Sequence, residues 1–260
     1  MIDGTFEIMG AKLRYRRTGK SGGKPVLYLH SEESLPGDTA FIESLSRDHE
    51  VIIPDHLGFG ESDNPDWFRA MGDMAYCYLE LLDHLGVSGL NIVGASMGGW
   101  IGAEIAVRDR SRLASLSLIA PFGVREKGQT YGDVFLWTPE QNIRNRFVDQ
   151  QLAGSYLQKE HSKEETASLL KDRYATARLG WAPRFHSPEL QRWLHRIKLP
   201  VLLIWGEDDK IAPAAMARSW QAGLPNSRLV LIPACGHLPH MERKDETFAA
   251  VAKFIGEQRA

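Results

Sequence analysis

The segment LNIVGASMGGWIGAEIA, residues 90–106, leaves the backbone few paths. Leu90, Ile92 and Val93 make a short, partly β-branched apolar run suited to a strand, whereas Trp100, Ile101, Ile105 and Ala106 recur at helical spacing. Between them stand Gly94-Ala95-Ser96-Met97-Gly98 and then Gly99. A strand that turns sharply into a helix crowds the backbone around its central residue, and glycines on both flanks relieve the crowding. That residue is held in strain with its side chain projecting out of the turn. A turn alone does not need a hydroxyl there, so Ser96 is a candidate nucleophile.

The rest of the chain alternates. TFEIM and KLRYRR around Gly10 predict an opening hairpin. PVLYLH (25–30) is a compact apolar strand followed by the polar stretch SEESLPGD, and a helical segment is expected near Phe41 to Leu45. EVIIPD is the next strand, with the glycine-rich exit loop HLGFGESD. DMAYCYLELLDHLGV is helical and stops at Gly86. LASLSLIAP, LPVLLIWGEDD and SRLVLIP read as further strands, and PAAMARSWQAGL and DETFAAVAKFIGEQ as helices. Alternation of this kind predicts an α/β fold, with a mostly parallel central sheet and helices on both faces. Sites in such sheets lie beyond the carboxyl ends of the strands, where His30, Ser96, Asp209 and His237 all fall.

Residues 122–197 interrupt the pattern with two helical stretches, PEQNIRNRFVDQQLAGSYLQK and SKEETASLLKDRYATARLGW, and no clear strand. They are expected to form a helical cap inserted into a core of residues 1–121 and 198–260. Phe122, Tyr131, Phe135, Trp137, Tyr156 and Trp181 are aromatics of this segment that pack it or line a pocket.

A net charge of −2 gives no electrostatic reason to expect nucleic acid or an anionic membrane as partner. The N-terminal residues carry no signal-peptide pattern, and runs such as PVLLIW are too short to cross a bilayer. Cys77 and Cys235 make neither a disulfide framework nor a metal-spaced cluster, which fits buried thiols in a reduced cytoplasmic setting.

A serine nucleophile needs a base. His237, in LIPACGHLPHMER, follows a strand and a glycine, where a loop can present it over the rim; His240 lies closer to the last helix, and His56, His161 and His195 lack such placement. The imidazole needs a carboxylate to hold its tautomer. Glu207, Asp208 and Asp209 all follow the strand VLLIW, and position alone does not choose among them.

With serine, acid and histidine in that order, the chain resembles the α/β-hydrolase superfamily. The resemblance rests on DHLGFGES (55–62), GASMGG (94–99), GEDDKIAP (206–213) and GHLPHME (236–242) and covers nearly everything outside the cap. It implies a triad of Ser96, Asp209 and His237, because the family's acid stands three residues after the glycine and four before the proline. It further implies that the backbone N–H groups of Glu32 and Met97 bind an oxyanion. One departure is that His30 is followed by Ser31, where the family usually has glycine, so Ser31 is expected to adopt a conformation normally given to glycine. The Glu32 side chain is expected either to solvate or to meet a polar or cationic substrate.

Serine rather than aspartate at position 96 argues against the superfamily's dehalogenases and epoxide hydrolases. The expected reaction is hydrolysis of a small carboxylic ester or lactone through an acyl-enzyme. Ser31, Phe122, Phe135, Trp137 and Leu238 are the candidate substrate contacts, and neither metal nor cofactor is called for. Carbon–carbon hydrolases of ring-fission products share the resemblance but typically carry an aromatic after the histidine, where this chain has Leu238. Acyltransferases, perhydrolases and ligand receptors on the same fold are the remaining alternatives.

Overall fold

A computed structural model describes residues 2–32 and 38–258. Strands β1 (Ile2–Ile8) and β2 (Ala11–Gly19) form the opening hairpin; β3 (Lys24–Leu29), α1 (Asp38–Ser46), β4 (His49–Pro54), α2 (Met71–Leu85), β5 (Leu90–Ala95), α3 (Met97–Arg108) and β6 (Leu113–Ile119) follow. After four helices, α4 (Pro139–Arg146), α5 (Gln150–Leu157), α6 (Lys163–Gly180) and α7 (Pro188–Trp193), the chain returns to the sheet through β7 (Val201–Gly206). It ends with α8 (Ala215–Gly223), β8 (Ser227–Ile232), α9 (Pro239–Glu242) and α10 (Lys244–Glu257). Part of the polar stretch after β3, residues 33–37, lies outside the described residues.

The eight strands form one sheet in the order β1-β2-β4-β3-β5-β6-β7-β8. β1, β2 and β4 pair antiparallel, and every pairing from β4 to β8 is parallel. Side-chain alternation along each strand feeds two cores. Leu27, Leu29, Ile92, Leu116, Leu118 and Leu203 pack on one face with residues of α2, α3 and α8. Val26, Tyr28, Val93, Ile119, Leu202 and Ile204 pack on the other with Phe41 and Leu45 of α1 and Val251, Phe254 and Ile255 of α10. With both faces covered, central strands cannot alternate apolar with polar, and all six residues of β5 are buried.

Between β6 and β7 the described residues contain no strand, only an isolated bridge of Gly123 to His186. The stretch PEQNIRNRFVDQQLAGSYLQK, read as one helical pattern, is two helices. Asp149 accepts hydrogen bonds from the amides of Gln151 and Leu152 and so caps α5, which forces α4 to end at Arg146. Cys77 and Cys235 are free and buried. No helix among the described residues is long and apolar enough to cross a membrane.

Candidate active site

The junction of β5 and α3 is a strained turn. Ser96 has φ 51° and ψ −111°, a region that a residue with a side chain occupies only when its surroundings compel it. The Ser96 amide donates to the Ile119 carbonyl at 2.8 Å, and the Ser96 carbonyl accepts from Phe122 at 3.1 Å. Gly98 is required by close approach: a Cβ there would lie 2.0 Å from the Leu29 carbonyl oxygen at the end of β3. That closeness brings the Ser96 turn against the loop that carries Glu32.

The ends of β7 and β8 supply the other two groups. His237 Nε2 lies 2.9 Å from Ser96 Oγ, and its Nδ1 lies 2.8 Å from Asp209 Oδ2. The other Asp209 oxygen accepts from the amides of Ile211 and Ala212, both at 2.8 Å, which prevents the carboxylate from rotating off the imidazole. Asp209 is buried, whereas Glu207 and Asp208 are exposed, so the turn after β7 directs only one of the three acids at the histidine. His240 points elsewhere and pairs with Asp38 at 3.0 Å.

Residues between β6 and β7 also hold the histidine. The His237 amide donates to the Arg146 carbonyl at 2.8 Å, a bond open to it because α4 stops there. Gly236 permits the approach, since a Cβ on it would lie 2.4 Å from the same carbonyl oxygen. Phe122 stacks on the imidazole, with centroids 5.4 Å apart and planes at 22°, and Phe185 stacks on Phe122 in turn.

Met97 opens α3, so its amide is among those at the helix N-terminus with no partner inside the helix. The side chain of Glu32 is not solvated. Its carboxylate forms an ion pair with Arg146 at 2.8 Å, and the two side chains are 2% and 1% exposed. Burial alone would push the Glu32 carboxyl up; the charge of the Arg146 guanidinium, then that of His237, outweighs burial and holds it below its ordinary value.

Ser31 corrects an expectation. Among the described residues the non-glycine residues at positive φ are Met9, Ser96, Ala120, Phe185 and Ala234, so Ser31 does not take a glycine-like conformation. A hydrogen-bonded histidine stack sets this loop instead. His30 Nδ1 donates to the Ser31 carbonyl at 2.6 Å while its Nε2 accepts from the His56 amide at 3.1 Å. His56 Nε2 donates to the His30 carbonyl at 3.0 Å, its Nδ1 accepts from the Tyr78 hydroxyl, and the two rings stack at 3.7 Å. Burial, reinforced by neighbouring His30, pushes the His56 imidazole well below its ordinary value, against the bond to the His30 carbonyl.

The other candidate contacts separate. Phe122 is at the histidine, and Phe135 stacks on Phe185 at 5.1 Å and reaches the cavity beside Glu32. Trp137 lies over Gly132. Leu238 is buried in a small cluster with Phe147 and Ala153.

The family model of the α/β-hydrolase fold matches residues 24–244. The chain belongs to the α/β-hydrolase fold family. It is 29% identical over 276 residues to 2-hydroxymuconate semialdehyde hydrolase of Pseudomonas putida, covering 98% of this chain and 95% of that one. It is 28% identical over 263 residues to the dihydrolipoyllysine-residue acetyltransferase component of the acetoin cleaving system of Pseudomonas putida, covering 96% of this chain and 68% of the relative. Among solved structures, a meta-cleavage product hydrolase from Pseudomonas fluorescens IP01 superposes with a TM-score of 0.80 at 21% identity, covering 98% of this chain and 97% of that one. For this α/β-hydrolase-fold chain, Arg146 is the site neighbour that sequence reasoning missed, while His56, set aside there as a base, holds the loop at Ser31. Asp149, an N-cap residue inside an otherwise helical run, was the available signal for the break that places Arg146.

Proposed function

We propose that the protein is a serine hydrolase that cleaves a small carboxylic ester or lactone through an acyl-enzyme on Ser96. The observation that carries this reading is the line from Ser96 Oγ through His237 to Asp209, at 2.9 and 2.8 Å, on a strained strand-to-helix turn. Ser96 Oγ attacks the carbonyl carbon as His237 Nε2 takes its proton, and Asp209 holds Nδ1–H and stabilises the imidazolium. The amides of Glu32 and Met97 receive the oxyanion. His237 then protonates the leaving alkoxide. Water, deprotonated by His237, attacks the acyl carbon; the bond to Ser96 Oγ breaks as His237 returns the proton to it, and the acid is released. Residues 122–197 act as the cap over this chemistry, and the reaction takes place in the cytoplasm on a small molecule, without metal or cofactor.

The 29% identity to 2-hydroxymuconate semialdehyde hydrolase favours a second reading, hydrolysis of a carbon–carbon bond beside a ketone. A muconate-type substrate carries a carboxylate, and the arginine buried in this chain among the described residues, Arg146, is paired with Glu32. That pairing favours uncharged esters. The test is side-by-side turnover of phenyl esters, lactones and ring-fission dienones, with labelling by a fluorophosphonate. Ester turnover and labelling that both vanish in Ser96→Ala are expected. Turnover of dienones alone, or hydrolysis surviving in purified Ser96→Ala, overturns the reading.

A further inference from the structure

Beside the nucleophile, a small cavity is lined by Glu32, Asn142, Arg146, Arg173, Thr176 and the ring of Phe135. Its buried polar groups are unevenly satisfied. Glu32 Oε1 meets Arg146, while Oε2 receives no hydrogen bond among the described residues. The single proton of the Ser96 hydroxyl is directed at His237 Nε2, 2.9 Å away, and is not available to Oε2. Asn142, 7% exposed, donates through Nδ2 to the Val134 carbonyl at 2.8 Å, which fixes its amide orientation. Its Oδ1 is buried and accepts nothing among the described residues. Thr176 adds no donor, because its hydroxyl donates to the Glu32 carbonyl at 2.9 Å.

Two buried acceptors without donors in one cavity are costly unless something supplies the hydrogens. Arg146 is already opposed by Glu32, and Arg173, the other cation, is exposed at the surface end. A carboxylate entering here would meet Glu32 and Asn142 oxygens with no proton to offer either. A hydroxyl has one. We infer that this cavity is a subsite for a hydroxyl on an uncharged acyl group, the hydroxyl donating to Glu32 Oε2 or Asn142 Oδ1 while the acyl carbonyl sits at Ser96. The carboxylate belongs to the same residue as one amide assigned to the oxyanion, so a hydroxyl only a few bonds from the reacting carbonyl reaches it.

This inference rests on the serine-hydrolase reading, and the test separates the two. Phenyl butyrate, phenyl 3-hydroxybutyrate and the anionic phenyl monoester of succinic acid are compared twice: as substrates of the wild-type protein, and as ligands of Ser96→Ala by calorimetry. A hydrogen bond to a charged group supports a preference of roughly tenfold or more for the hydroxybutyrate over the butyrate, in kcat/KM and in affinity. The succinate monoester gains nothing. In Asn142→Leu and in Glu32→Gln the hydroxybutyrate-to-butyrate ratio falls severalfold; being a ratio, it does not depend on how much of each variant folds. Equal kcat/KM and equal affinity for the two esters overturn the subsite and leave the hydrolase reading intact. Preferred binding of the hydroxybutyrate to Ser96→Ala without turnover by wild type keeps the subsite and sinks the hydrolase reading. Tightest binding of the succinate monoester overturns the subsite, because Arg173 would then govern it.

Discussion

Removing the Arg146 side chain should strip the charge from a buried carboxylate's only ion-pair partner among the described residues. The pair is 2.8 Å apart with side chains 1% and 2% exposed, so water cannot replace the guanidinium without reorganising the site. Breaking a buried pair from one side costs about 3–5 kcal/mol, a large share of the roughly 5–15 kcal/mol that stabilises a typical domain. Arg146→Ala should therefore lower unfolding stability by about that amount at pH 8. Glu32→Gln/Arg146→Met, which removes both charges, should be more stable than Arg146→Ala. The pH dependence gives an independent sign. In the wild type the Glu32 carboxyl is held below its ordinary value, so its stabilising contribution is present above an unfolded value of about 4.3 and is lost as pH falls through the lower folded value. Without Arg146 burial dominates and pushes the carboxyl up. The folded variant then binds a proton that the unfolded chain does not, and stability recovers as pH falls from 8 to 5. Ester turnover should also drop, by roughly a hundredfold, because an uncompensated carboxylate beside Ser96 opposes the oxyanion. Urea unfolding from pH 5 to 8 and kcat on one phenyl ester make the measurement. A loss below about 1 kcal/mol, or a pH slope equal to that of the wild type, would refute the reasoning.

Asp209→Asn should lose roughly ten-thousandfold in turnover through the wrong histidine tautomer, and exposed Asp208→Asn far less; kcat at one pH ranks them, and the reverse order reassigns the acid. Gly98→Ala places a Cβ 2.0 Å from the Leu29 carbonyl oxygen and should cost about 3 kcal/mol or more in urea unfolding; a neutral effect would mean that the junction of β5 and α3 is looser than described. His56 is buried with its imidazole pushed well below the ordinary value, so stability should fall as pH drops below about 6.5, where the unfolded histidine takes a proton that the folded one refuses. His56→Gln should flatten that dependence between pH 6.5 and 5, and an unchanged slope in thermal melts would remove His56 as its source.

The amino-acid sequence by itself determined the parts whose signals are local. Compact apolar runs and helical spacing place the parallel strands and their helices, because a strand buried on both faces and a helix buried along one stripe leave different patterns. The glycines around Ser96 mark the strained turn in the sequence, although what crowds Gly98 is the Leu29 carbonyl at the end of β3, which no local pattern announces. The order of serine, acid and histidine, read with the family's spacing, names Asp209. What selects Asp209 physically is the turn after β7, which buries it against His237 and leaves Asp208 exposed. Only the tertiary structure decided the rest. The helical run through Arg146 carries no sign of what it will hold: its carbonyl accepts from the His237 amide and its guanidinium pairs with the Glu32 carboxylate, groups that come from beyond the ends of β8 and β3. Ser31 keeps an ordinary backbone because His30 and His56 hold its loop, a stack assembled at the ends of β3 and β4 by their pairing in the sheet. A periodic pattern encodes a face. It does not encode which buried charge, arriving from another strand, that face will have to neutralise.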